Sequence, residues 1–127
     1  MASPIEFTIY VVVDDDPLRE SICALLRSIR FQVRPFCSVA EFLRTDRPAF
    51  KSCLIVDEDM PDVTGFELIA QLRSEGLQTP AIVMMRSPYI KLQPATERLD
   101  AVLLEKPCAP GKLIGCLAKA LAGTKDK

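Results

Sequence analysis

Apolar residues follow two alternating rhythms along this chain. Short unbroken apolar runs end in polar or charged residues, and longer stretches place an apolar residue every three or four positions. Thr8-Ile9-Tyr10-Val11-Val12-Val13 is the first run, rich in β-branched residues and ending on Asp14-Asp15-Asp16. Phe31 to Phe36 is a second, shorter one. Cys53-Leu54-Ile55-Val56 passes straight into Asp57 without polar alternation. That is the pattern of a strand buried on both faces of a parallel sheet, although so short a run also fits a buried helix segment. Pro80 to Met85 is the fourth run, its proline at the start where a missing N–H is tolerated. Val102-Leu103-Leu104 is the fifth, and leads to Glu105-Lys106-Pro107.

Between these runs the spacing turns helical. Leu18, Ile22, Leu25, Leu26 and Ile29 form one apolar stripe, with Arg19, Glu20 and Arg27 off it. Pro17 suits the first helical position, which makes Asp16 the expected N-cap. Ser38-Val39-Ala40-Glu41 and Thr64-Gly65-Phe66-Glu67 both fit a capping box. The first opens a brief helix to about Leu43. The second opens a helix through Leu72 and Arg73 that Gly76 ends. Pro88 and Pro94 interrupt the stretch from Arg86 to Asp100, so a helix there is expected to be short or partly unwound. Leu113, Ile114, Leu117, Ala118 and Leu121 mark the last helix, and Gly123 to Lys127 a fraying tail. Five strand–helix units predict an α/β fold, a five-stranded doubly wound parallel sheet. One domain is expected over 1–127, with its core in 8–121.

Composition removes several functions. The 127 residues are 49% hydrophobic and 26% charged, ordinary for a globular protein. A net charge of −1 offers no electrostatic case for nucleic acid or an anionic membrane. No apolar run approaches the ~20 residues of a membrane span, and Met1 to Glu6 does not read as a signal peptide. A cytoplasmic location is expected, with the five cysteines reduced and mostly in the core. Histidine is absent, which excludes Ser-His and Cys-His nucleophiles and every histidine metal site.

The acids are where chemistry remains. Asp14 or Asp15, Asp57 and Lys106 each fall just past a different strand end. In a parallel sheet those ends share one edge, so residues more than forty positions apart converge. Carboxylates a few ångströms apart repel by several kcal/mol at an effective dielectric near 20, so one holds a proton or a hard cation lies between them. Mg2+ takes oxygen ligands and keeps several waters, so two or three carboxylates and a carbonyl suffice. An aspartate there can accept a phosphoryl group as an acyl phosphate, and a lysine can neutralise its oxygens. The side chains of Asp59 and Asp62 are expected in solvent, and Cys108 as a small packed residue.

Three features in this order carry a resemblance: the acids after the first strand, Asp57 with Pro61 and Gly65 beyond it, and Glu105-Lys106-Pro107. Over residues 8–121 the chain resembles the receiver domains of two-component response regulators, and within them the receivers of FixJ-like transcription factors. The resemblance implies a flavodoxin-like sheet of order 2-1-3-4-5 and Asp57 as phosphoacceptor, charged by a sensor histidine kinase or phosphotransfer protein. It also implies Mg2+ held by Asp14, Asp15, Asp57 and the main-chain carbonyl of Asp59. Lys106 would contact the phosphoryl oxygens and precede a cis bond to Pro107, which only X–Pro bonds form cheaply. A homodimer or output protein would meet the face of strands four and five and the last helix, around Leu103, Leu113 and Leu117.

The chain also departs from that family. Met85 stands where its strand-four hydroxyl belongs, Arg86 at the small position that follows, and Leu103 at the switch aromatic. Ser87 supplies a hydroxyl only if the loop is shifted by two. Aligned without a gap, Val13 and Asp14 fall at the paired acid positions; a one-residue deletion restores Asp14 and Asp15, the reading preferred here. Two alternatives remain open on sequence: a pseudo-receiver that signals by contacts with little phosphorylation, and a haloacid-dehalogenase-type phosphatase suggested by Asp57-Glu58-Asp59. The domain itself is expected not to be an enzyme beyond gaining and losing its own phosphoryl group, nor to bind nucleic acid.

Overall fold

The computed structural model describes residues 7–45, 48, 51–60, 63–86, 98–106 and 109–122. Its elements run β1 (Thr8–Val12), α1 (Asp16–Ser28), β2 (Gln32–Phe36), α2 (Val39–Leu43), β3 (Ser52–Asp57), α3 (Gly65–Ser74), β4 (Ala81–Met85), β5 (Ala101–Glu105) and α4 (Pro110–Ala122). All strand pairs are parallel, in the order β2-β1-β3-β4-β5. This is the doubly wound sheet that the alternating patterns predict.

β3 lies at its centre, and all six of its residues are buried. Alternation along the strands divides the interior in two. Ile9, Val11, Cys53, Ile55, Ile82 and Met84 face α1 and α4, whose Ile22, Leu26, Leu113 and Leu117 close that side. Tyr10, Val12, Leu54, Val56 and Val83 face α2 and α3, which contribute Phe42, Leu68, Ile69 and Leu72. Helices on both faces explain why the central strands read as unbroken apolar runs. On the second side Phe42 meets Tyr10 and Phe36 edge-on, with ring centres 5.8 and 5.3 Å apart. Arg34 of the edge strand lies over the Tyr10 and Phe36 rings. Pro35, next to it, is tolerated because β2 has a partner on one side alone.

The helix ends follow local chemistry, with two corrections. Thr64 and Glu67 exchange both bonds of a capping box, Glu67 N–H to Thr64 Oγ1 at 3.2 Å and Thr64 N–H to Glu67 Oε1 at 2.8 Å. Ser38 caps α2, but Glu41 turns back one residue further, to the Cys37 N–H. At α1 the cap is Asp15, not Asp16: Asp15 Oδ2 accepts from Leu18 N–H at 2.8 Å. Asp16 is already helical and pairs with Arg19 one turn on. Proline therefore takes the second helical position, where its absent N–H is equally harmless.

α1 and α3 each end on a left-handed residue. After α3 it is Gly76 at φ 84°, with Leu77 N–H bonded to Leu72 O. After α1 the same loop is closed by Arg30 at φ 77°, with Phe31 N–H donating to Leu26 O at 3.1 Å. A side chain there carries a penalty that glycine avoids. Arg30→Gly is accordingly expected to stabilise the fold by about 0.5–1 kcal/mol, read as a higher urea midpoint at unchanged slope. An unchanged or lower midpoint would count against strain at this position.

The cysteines divide less uniformly than expected. Cys23 and Cys53 are buried, while Cys37 is exposed; these and Cys116 are free thiols. Burial pushes the Cys53 thiol up to about 12. The expected interrupted helix after Arg86 falls mostly outside the described residues, as do Pro61, Asp62, Ser87, the Lys106–Pro107 bond and Cys108. No described helix is long and apolar enough to cross a membrane.

Candidate functional site

β3 carries Asp57 to the edge of the sheet while keeping it buried, 2% exposed. A carboxylate so enclosed needs partners, and it has them. Lys106 Nζ donates to Oδ1 at 2.8 Å and to Oδ2 at 2.9 Å, and the Asp59 N–H donates to Oδ1 at 2.9 Å. Lys106 reaches Asp57 because β5 ends beside β4: its N–H continues the ladder to Met85 O at 2.7 Å. Burial alone pulls the ammonium's pKa down, but hydrogen bonds and charge from Asp57 and Asp59 outweigh it. Lys106 is held above the usual lysine range.

Asp59 is exposed, as expected, but its carboxylate is not without partners. Its Oδ2 accepts from Lys106 Nζ at 3.1 Å and from the Arg86 main-chain N–H at 3.1 Å. Between them Glu58 turns the other way and caps α3 through the Phe66 N–H at 2.9 Å. Burial raises the Glu58 carboxyl pKa. Gly65 is required here by close approach: a Cβ on it would lie 2.9 Å from Val56 Cγ1, a buried branched side chain with nowhere to go. The α3 start and the Asp57 strand end are thus packed directly together.

A cleft of about 830 Å3 opens over this pair. Asp14, Asp15, Asp59 and Arg86 line it together with Asp57 and Lys106, and Leu18 and Leu113 close its apolar side. Asp14 and Asp15 are exposed, Asp15 with one oxygen committed to its cap. Val13 is buried in the core facing α1, and its N–H extends the β1–β2 ladder to Phe36 O. Val12 is in register with Val56, so one step along the strands sets Val13 beside Asp57. Arg19, which sequence alone marks merely as off the apolar stripe, anchors this turn by donating to Val13 O at 2.7 Å. No local signal announces that contact, because the carbonyl is exposed to it only once β1 ends.

Met85 is buried at the end of β4, and Leu103 is half-buried against the α2–α3 core. Leu113 and Leu117, expected on the outer surface, are both only 2% exposed and pack into the core facing α1. α4 turns its apolar stripe inward, leaving Ile114 as its exposed large apolar side chain.

Comparison with known proteins decides the family. Residues 9–118 match the model of the response regulator receiver domain. The chain belongs to that family. This receiver is 30% identical over 125 residues to the transcriptional regulatory protein FixJ of Azorhizobium caulinodans, covering 98% of the chain and 59% of FixJ. It is 32% identical over 114 residues to the response regulator TodT of Pseudomonas putida, covering 89% of the chain and 50% of TodT. It thus spans about half the length of these relatives. Its fold matches the crystal structure of FixJ-N with a TM-score of 0.84 at 24% identity, over 95% of the chain and 98% of FixJ-N. It matches response regulator StyR at 0.83 with 31% identity, over 91% of the chain and 59% of StyR.

A receiver domain is a signalling domain of two-component systems whose family function is to accept a phosphoryl group, and its partners include histidine kinases. Membership favours neither the pseudo-receiver nor the phosphatase alternative. Receivers typically bind Mg2+, and the donors of this cleft suit it: they are hard carboxylate oxygens beside a buried acid. They form an open set, since among the described residues no three acids are grouped closely enough to enclose a metal ion.

Proposed function

We propose that Asp57 is the phosphoacceptor of this receiver and Lys106 its electrostatic partner. The observation that carries the reading is the bidentate contact of the Lys106 ammonium with a nearly inaccessible carboxylate at the mouth of the cleft. An Asp57 oxygen attacks phosphorus as the P–N bond of a phosphohistidine breaks. The bonding pair stays on the imidazole nitrogen, which solvent protonates. Lys106 then follows the charge onto the phosphoryl oxygens, where a fixed cation is most effective.

Asp14 and Asp57, with the main-chain carbonyl of Asp59, are the groups we assign to Mg2+, which supplies charge neutralisation during transfer. The position of Val13 beside Asp57 and the cap made by Asp15 support the gapless pairing of Val13 with Asp14, and Asp15 adds negative charge from its cap. For the output, Met85 and Leu103 lack the hydroxyl and the ring that the family moves, so coupling to the β4–β5–α4 face is weak. Arg86 lines the cleft and is the group able to replace the hydroxyl, by a bidentate contact to phosphoryl oxygens. A kinase or phosphotransfer protein loads the site, and a second copy or output protein docks on that face through Ile114 and its neighbours.

Incubation with Mg2+ and a small phosphodonor is expected to add one phosphoryl mass to the wild type and none to Asp57→Ala. Amide shifts of the same sample are expected to change around Asp57 and Arg86 but little along β5. An adduct retained in Asp57→Ala would refute the acceptor assignment. A large rearrangement across β4 and β5 that persists in Arg86→Ala would refute the weak output.

A further inference from the structure

Asp59 stands in an unusual position for a surface acid. The Lys106 ammonium that grips both oxygens of Asp57 also serves Asp59 Oδ2, and the Arg86 N–H points at that same oxygen. Asp57 and Asp59 line one cleft, but Asp59 is the outer of the two, its side chain 35% exposed against 3% for Asp57. A group added to an Asp57 oxygen extends toward the cleft, into the space these donors already point at. That space holds a carboxylate, an anion of the same sign as the group arriving.

We propose that Asp59 is an internal anionic gate: before phosphorylation its carboxylate holds the Lys106 and Arg86 donors that a phosphoryl group on Asp57 must take over. The proposal rests on Asp57 being the phosphoacceptor. Asp59 is a positioning residue here, acting through Lys106 and Arg86. It keeps Lys106 in place while the site is empty of phosphate, and it sets a threshold that a donor must overcome. Like charges this close repel strongly at protein dielectric values, so removing the charge lowers the threshold.

Asp59→Asn keeps the shape and an acceptor for the Arg86 N–H while deleting the charge. With phosphoramidate and Mg2+, an Asp57 O–P bond forms as the donor's P–N bond breaks and ammonia leaves. Intact-mass kinetics are expected to show Asp59→Asn and Asp59→Ala loading about tenfold faster than wild type, and Asp59→Glu, which keeps the charge, slower than either. The rate advantage of Asp59→Asn is expected to shrink as ionic strength rises, because it comes from a removed charge. A merely structural role would not depend on salt in this way. Equal or slower loading in Asp59→Asn, with an adduct present, overturns the gate while leaving the acceptor intact, as does a rate advantage that salt leaves unchanged. No adduct on any variant overturns the acceptor reading and the gate with it.

Discussion

Lys106→Ala is expected to lower the stability of this receiver by about 2 kcal/mol at pH 7 and to slow loading of Asp57 about a hundredfold. Breaking a buried ion pair by removing one partner costs about 3–5 kcal/mol when the other charge is stranded. Here the figure is discounted, because Asp57 keeps the Asp59 N–H and borders a cleft through which water enters. The kinetic loss is larger in consequence, since the ammonium is the fixed cation nearest the developing charge. The sign of the pH dependence follows from the raised Lys106 pKa. A group whose folded pKa is raised contributes fully below its unfolded value, about 10.4 for lysine, and loses that contribution as pH rises through the folded value. The stability gap between wild type and Lys106→Ala should therefore hold across neutral pH and close only above about pH 10.4. Urea unfolding at several pH values checks this. A gap that is absent at pH 7 would show the pair to be energetically neutral.

Phe42→Ala is expected to be the most destabilising single change of those considered, costing about 3–5 kcal/mol. Phe42 comes from a helix of only five residues, yet its ring is 0% exposed and joins Tyr10 and Phe36 in edge-on contact. So short a helix has little stability of its own. Its position depends on this anchor, and truncation leaves a cavity that rigid β1 and β2 cannot close. Against a typical total of about 5–15 kcal/mol, that is a large share. Phe42→Leu, which keeps most of the volume, should cost about half as much or less. Denaturation midpoints resolve the series; equal losses for both variants would point to the aromatic geometry rather than the cavity. Phe42 sits on the sheet face turned away from α1, so the folded fraction of either variant should still load Asp57.

Local patterns determined much of this protein. Unbroken apolar runs announce strands covered on both faces, and five of them alternating with helical stripes leave the parallel doubly wound sheet as the natural solution. Thr64–Glu67 and Ser38 name two helix starts because a cap is made within four residues of itself. Asp57 could be singled out because an acid directly after a buried strand has no packing use.

What needed the tertiary structure is whatever depends on register or on which way a side chain turns once the chain is packed. Asp15 rather than Asp16 takes the α1 cap because the chain turns at Asp14 after β1 and Asp15 is the last extended residue before the helix. Leu113 and Leu117 sit on a stripe that could face either way until α4 is laid against β4 and β5, and there it faces inward. Arg19 finds the Val13 carbonyl, and Asp59 finds Lys106 and the Arg86 N–H, across turns that no periodicity encodes. Lys106 grips Asp57 across 49 residues of chain. Motifs could nominate both partners, but only strand order, which sets β4 between β3 and β5, brings an ammonium within 2.8 Å of a buried carboxylate.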